Sequence, residues 1–170
     1  VDDIRACIGC NQACIGHFQM GFPISCIQHP ETGRELSYGE VRRAAKPLDV
    51  LVAGGGPGGL KAAAVAAARG HRVTLCEAGP RLGGQALLAQ LLPGRAEFGG
   101  IVTNLTRDAE LAGVTVRLNT AVDRALIARM APDAVIVATG ARPRWPGNIE
   151  IAEGAHVVDA WQVLRGEANP

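Results

Sequence analysis

The chain is 170 residues long, enough for one domain and an appendage. Its 17 basic and 16 acidic residues leave a net charge of +1, which gives no basic face for nucleic acid. Hydrophobic residues make up 48% but aromatics only 4%, so the core is built from Ala, Val, Leu and Ile, and no apolar run is long enough to span a membrane.

The first informative stretch holds Cys7, Cys10, Cys14 and Cys26, spaced C-x2-C-x3-C-x11-C. Three cysteines within eight residues can point into one small volume, and the fourth closes it from further along. Four thiolates of this kind suit a [4Fe–4S] cluster, in which each Cys holds one iron. A four-cysteine zinc site is the rival, although structural zinc usually draws on two separate short pairs. A disulfide framework fits poorly, because the cysteines are clustered and the N-terminal residues do not read as a secretory h-region. These features favour a reduced, cytoplasmic setting. His17 and His29 lie near the cysteines and read as surface or packing residues. Residues 29–47 read as a polar linker punctuated by Pro30, Gly33 and Pro47. Its basic set, Arg42, Arg43 and Lys46, reads as a solvated face.

The stretch Leu48 to Gly59, LDVLVAGGGPGG, organises the rest. An apolar strand, Val50 to Ala53, runs into glycines, and a helix of small residues follows over Leu60 to Arg69. Gly54, Gly56 and Gly59 fit G-x-G-x-x-G, the strand–turn–helix fingerprint of dinucleotide sites. In that motif the glycines serve a tight turn, close approach of a pyrophosphate, and close helix–strand packing. The helix start adds free N–H groups and a positive dipole end. Gly70 is a natural helix stop. The next strand, His71 to Glu77, ends in an acid 18 residues after Gly59, where a carboxylate can take ribose hydroxyls. Cys76 on that strand reads as a small buried apolar residue. Gly83-Gly84-Gln85 follows.

Gln85 to Gly94 reads as loop and broken helix. Glu97 to Ala112 is an amphipathic helix by its spacing of Phe98, Ile101, Val102, Leu105 and Ala109. Gly113 ends it, and Val114 to Leu118 is a short strand. Asp123 is placed to cap a helix over Arg124 to Met130. Ala134 to Ala138, AVIVA, is a continuous apolar run that predicts a strand buried on both faces. Thr139-Gly140 ends it. A short last strand is expected at His156 to Val158, and a helix over Ala160 to Arg165.

Together CIGCNQAC, VLVAGGGPGGLKAA, VTLCEAGPRLGGQ and VIVATGARP resemble the NADH:flavin oxidoreductases of the 2,4-dienoyl-CoA reductase and trimethylamine dehydrogenase-like family. Histamine dehydrogenase and N-methylproline demethylase-like proteins are similar too, and LLPGRAEFGG most resembles the demethylase-like branch. The resemblance implies an α/β fold. It would have an N-terminal iron–sulfur segment over 1–47 and a Rossmann-like FAD/NAD(P)-binding domain of glutathione-reductase type over 48–170, incomplete as it stands. It carries the cluster ligands onto Cys7, Cys10, Cys14 and Cys26. Dinucleotide contacts fall on Gly54, Gly56, Gly58 and Gly59 in the turn, on Glu77 at the ribose, and on Gln85. Arg95 falls near the phosphates, the Val122 backbone at the adenine, and Thr139-Gly140 at the ATG turn. The resemblance also implies an FMN-bearing barrel ahead of Val1, where a small-molecule substrate reacts, and a domain beyond Pro170 that takes NAD(P)H. No catalytic residue is assigned within the chain itself. Electron transfer through FAD and the cluster is the implied task. An ADP-binding module without redox work and a zinc-stabilised regulatory domain are the alternatives.

Overall fold

The computed structural model describes residues 4–169. The first three residues of the cysteine segment and Pro170 of the second unit lie outside the described residues.

Four parallel strands form the sheet: β1 (Asp49–Ala53), β2 (Arg72–Cys76), β3 (Thr115–Arg117) and β4 (Ala134–Val137). Their order across the sheet is β3-β2-β1-β4. Seven helices accompany them among the described residues: α1 (His17–Gln19), α2 (Glu35–Tyr38), α3 (Pro57–Ala68), α4 (Ala86–Ala89), α5 (Phe98–Leu111), α6 (Arg124–Met130) and α7 (Ala160–Arg165). A single π-type turn, Gln12–Gly16, leads into α1.

Side-chain alternation along β1 decides which helix covers which face. Val50 and Val52 point to one side and pack with Leu60, Ala63 and Ala66 of α3, Val73 and Leu75 of β2, and Ala109 of α5. Leu51 points the other way and joins Cys76 and Leu126, with Val122, Ile127 and Met130 around them. The sheet thus lies between α3 with α5 on one face and α6 on the other. Leu51, Leu60, Leu75 and Val52 are fully buried, each contributing about 1.5–3 kcal/mol by area transfer. The alanines of α3 let its axis lie close to the sheet.

Helix boundaries follow the end signals. The Asp123 side chain accepts from Leu126 N at 2.7 Å, the expected cap of α6. Asp159 caps α7 through Trp161 N and Gln162 N, and the Gln162 side chain accepts in return from Asp159 N. Gly113 follows the end of α5 in the left-handed region at φ +76°.

Three expectations need correction. α3 begins at Pro57 rather than Leu60, because Pro at the first helical position suits a helix start and Gly58 and Gly59 join its first turn. β4 is not buried on both faces: it is an edge strand, with Val135 37% and Val137 75% exposed, so its AVIV run is covered on one side only. No strand forms at His156 to Val158, which continues as irregular chain before α7. The linker also contains the short α2, whose Leu36 is entirely exposed and so gave no amphipathic signal.

Candidate nucleotide turn and cysteine cavity

Strand register brings the site residues together. Ala53 of β1 lies beside Cys76 of β2 and Val137 of β4. The next residues on those strands, Gly54, Glu77 and Ala138, therefore emerge at one level, at the carboxyl ends of the strands. That is the end at which open α/β sheets bind ligands. A second cavity of about 410 Å³ lies at the opposite end, lined by Asp49, His71, Arg72 and Pro132 among others, away from the glycine turn.

The chain itself demands glycine at two of the turn positions. Gly54 holds φ +109°, and a Cβ there would lie 2.3 Å from the Ala138 carbonyl oxygen. A Cβ on Gly59 would lie 1.9 Å from the Gly54 oxygen, so α3 packs against the turn backbone itself. Gly56 and Gly58 differ. A Cβ on Gly56 would meet only Gly84 Cα, at 3.9 Å, and one on Gly58 would meet nothing within 4 Å. Both flank the start of α3, where Pro57 has no N–H and the next amides lack helical partners. Bare backbone at a helix start, kept open where the fold does not require it, fits a phosphate group approaching the amides.

Glu77 is held on both oxygens. Its Oε2 accepts from Gly55 N at 2.7 Å, and its Oε1 accepts from Gly79 N at 2.7 Å. Gly55 is buried, and its carbonyl accepts from Gly83 N at 2.8 Å. Gly84 approaches Gly56 so closely that a Cβ on Gly84 would lie 3.0 Å from Gly56 Cα. Gln85 Nε2 donates to Ala141 O at 2.9 Å and lies against Gly140. Thr139 is exposed beside Gly54, its Cα 3.2 Å from the site of a Gly54 Cβ. Gly54, Gly55, Gly56, Glu77, Gln85, Thr139 and Gly140 thus form one connected rim. Val122 is half-buried against the Leu51, Cys76 and Leu126 cluster. Arg95 lies elsewhere, in an open groove of about 360 Å³ shared with Cys7, Ile8, Gly9, Gly94 and Glu97. Gly55 and Gly79 were not among the expected site residues. Their role is made by backbone hydrogen bonds, which leave no mark in residue type beyond a glycine.

Cys7, Cys10, Cys14 and Cys26 all line one cavity of about 140 Å³, with Arg5, Ile8, Asn11, Ala13, Gln28 and His29 among its other walls. Buried Ile8 anchors the first loop. Asn11 at φ +52° turns the chain, and Gly16 N donates back to Asn11 O at 2.8 Å. Ser25 N donates to Ala13 O at 2.8 Å, which brings the segment of Cys26 beside that of Cys14. Gly9 N donates to Cys7 Sγ at 3.4 Å. All five cysteines are free. Among the described residues, no three His, Cys, Asp or Glu side chains are grouped to hold one metal ion. Four sulfurs around a common cavity, with a backbone amide donating to one of them, are a donor set that fits a multi-iron cluster, whose irons are held one per cysteine. Cys76 is apart from them, and burial pushes its thiol pKa up, with Arg117 opposing. His17 bonds Pro23 O at 2.9 Å and packs edge-on to Phe22, outside the cavity wall.

Arg5 ties the cysteine segment to α5. Its guanidinium donates to Gln28 O at 3.2 Å and pairs with Asp108 of α5. Gln28 Nε2 donates back to Ala6 O at 2.6 Å. The cysteine loops are therefore tied to the helix that packs on α3.

Known proteins agree with this geometry. The family described as pyridine nucleotide-disulphide oxidoreductase matches residues 48–166. The NADH oxidase of Thermoanaerobacter brockii is 41% identical over 172 residues, covering 99% of this chain and 26% of its own length. The solved structure of a 2-naphthoyl-CoA reductase bound to 2-naphthoyl-CoA superposes with a TM-score of 0.91 at 31% identity, covering 99% of this chain and 26% of that one. Histamine dehydrogenase from Rhizobium sp. 4-9 gives 0.83 at 29% identity, with 99% and 26% covered. The chain spans about a quarter of the length of these relatives. No helix among the described residues is long and apolar enough to cross a membrane. The family model covers the glycine turn and the relatives' likenesses run through the cysteine loops as well, so the chain belongs to the pyridine nucleotide-disulphide oxidoreductase family, in its 2,4-dienoyl-CoA reductase and trimethylamine dehydrogenase-like group.

Proposed function

We propose that this chain is the electron-relay portion of a flavin- and [4Fe–4S]-dependent oxidoreductase. It holds FAD at the glycine turn and the cluster among Cys7, Cys10, Cys14 and Cys26. It links NAD(P)H, taken by a further domain, to an FMN in a barrel domain where a small-molecule substrate reacts. One observation carries the reading: the four cysteines line one cavity, and their segment is tied through Arg5 and Asp108 to α5, which packs on the helix that leaves the glycine turn.

Bound here, a flavin and a cluster would supply the conversion between two-electron and one-electron chemistry. The chain's own residues bind and position. The amides at the start of α3, beside Gly56 and Gly58, take the pyrophosphate. Glu77 takes the ribose hydroxyls, the Val122 backbone meets the adenine, and Thr139-Gly140 with Gln85 close the rim. Gly9 N, donating to Cys7 Sγ, lowers the electron density on that sulfur. No residue of the chain needs to act as a general acid or base. We place the protein in the cytoplasm, where thiols stay reduced.

A second reading is favoured by the reach of the rim. Every contact named here falls on the adenosine diphosphate part of a nucleotide, so a non-redox ADP module of an amine dehydrogenase or demethylase-like enzyme would use the same residues. The absorbance spectrum of anaerobically purified full-length protein tests both, followed by release of its nucleotides and assay of iron and sulfide. FAD with iron and sulfide in similar amounts is the expected result. ADP in place of FAD supports the module. Zinc without iron or sulfide removes the cluster from the account.

A further inference from the structure

Backbone amides hold the Glu77 carboxylate by both of its oxygens. Each oxygen accepts one amide, Gly55 N at 2.7 Å and Gly79 N at 2.7 Å. Gly55 is the middle of the glycine turn. Its other side is held through its carbonyl by Gly83 N at 2.8 Å. The fit is close: a Cβ on Gly55 would lie 3.1 Å from both Cβ and Oε2 of Glu77 and 2.6 Å from Leu82 Cδ2. Glu77 is itself fixed, since its N donates to Arg117 O at 2.9 Å and its O accepts from Thr120 N at 2.8 Å. The side chain therefore ties β2 to the turn on one oxygen and to the loop at 79–84 on the other.

We infer that Glu77 is a positioning residue for the pyrophosphate turn, in addition to any contact with a ribose. This rests on reading the turn as an adenine-nucleotide site. An ionised carboxylate has about four lone-pair sites. Two are used by Gly55 and Gly79, which leaves one on each oxygen for the two ribose hydroxyls. Ribose can bind without displacing either amide. Without the carboxylate, the Gly54–Gly55 peptide loses the acceptor of its N–H, and the turn leading into α3 is left with Gly83 N on the Gly55 carbonyl as its remaining tie. A turn that must be reordered on binding takes every phosphate-bearing ligand less tightly, whether or not the ligand has ribose hydroxyls.

This separates two roles that a simple loss of affinity cannot. Glu77→Gln keeps size and one acceptor oxygen but turns an amide NH2 toward one of the two backbone N–H groups. ADP and 2′,3′-dideoxy-ADP are titrated calorimetrically into nucleotide-free full-length protein, wild type and Glu77→Gln. Hydrogen exchange of the segment containing Gly55 is followed in the same samples, and thermal unfolding confirms that the variant is folded. The expected result is that Glu77→Gln binds dideoxy-ADP about three- to tenfold more weakly than wild type does, the net worth of about one hydrogen bond. Exchange at Gly55 should accelerate. Equal affinity of both proteins for dideoxy-ADP, with unchanged Gly55 exchange, would overturn the positioning role and leave Glu77 as a ribose contact only. Failure of wild type to bind either nucleotide would overturn the nucleotide reading and this one with it.

Discussion

The two kinds of glycine in the turn make opposite demands on an alanine. At Gly59 a methyl group would lie 1.9 Å from the Gly54 oxygen, well inside van der Waals contact, and neither backbone can yield without moving α3 off the sheet. Gly59→Ala should destabilise the fold by about 1–3 kcal/mol or more, as overpacking does, and lower the melting temperature by several degrees. At Gly58 the same methyl meets nothing, and the residue is already helical. Gly58→Ala should keep or raise the melting temperature, by up to about 1 kcal/mol of helix propensity, while weakening binding of FAD or ADP. Unchanged affinity in a titration would show that the nucleotide does not pass over Gly58. Cys76 gives a pH signature. Burial raises its folded pKa above the unfolded value of about 8.5, so its contribution is fully present below that pH. It is lost as pH rises, because the unfolded thiol ionises first. Denaturant melts of wild type and Cys76→Ala should therefore converge as the pH rises above about 8.5. Parallel curves would mean that Cys76 ionises as easily folded as unfolded.

Among the elements, α5 has the largest consequence. It packs on α3 through Ala109 and Leu105, and its Asp108 pairs with Arg5 beside the cysteine cavity. Both side chains stay part-exposed, 18% and 26%, so the pair is worth the low end of the charged range, about 1.5 kcal/mol. Asp108→Ala should leave nucleotide affinity unchanged but raise the open population of the cysteine segment about tenfold. Limited proteolysis between residues 5 and 28 reads this directly. Cleavage at the wild-type rate would show that Gln28 and Ile8 hold the segment without the ion pair. The elements differ in how far the sequence disclosed them. α5 and β2 were readable because periodicity and end signals agreed along their whole length. β4 was readable as a strand but not as an edge: AVIV carries the hydrophobicity of a central strand, and only the sheet order shows that one side lacks a neighbour. Gln85, Thr139 and Gly140 are site residues by the sequence reading, yet the hydrogen bond by which Gln85 reaches Ala141 comes from tertiary closure alone. Glu77 was placed by its distance from the glycines, whereas its two amide partners depend on how the loop at 79–84 folds back.

At the scale of the whole molecule, the charge-neutral composition says little, and the distribution of apolar surface says more. Val137, Trp145, Ile149 and Ile151 are exposed on and after β4, and Phe18, Met20, Phe22 and Ile24 between Cys14 and Cys26. Exposed apolar residues scattered through irregular chain have no period to detect, so the sequence did not disclose them. The chain has one glycine fingerprint, Gly54 to Gly59, and the residues around it suit FAD or ADP. A hydride donor needs a second nucleotide site, and no second G-x-G-x-x-G follows a strand between Gly83 and Pro170. Gly99-Gly100 lies in the first turn of α5, and Gly140 is followed by Arg142 and Pro143 rather than by a helix. The relatives that share this stretch are about four times as long. The 170-residue chain by itself should therefore fold and bind FAD or ADP, yet show no steady NAD(P)H-dependent reduction of any amine or enoyl substrate. Spectrophotometric assay of NAD(P)H oxidation by the purified chain, with FAD, FMN and candidate substrates added, checks this. Sustained turnover would place both the hydride-donor site and the substrate site within these residues, and would require the glycine turn to serve a different nucleotide from the one proposed.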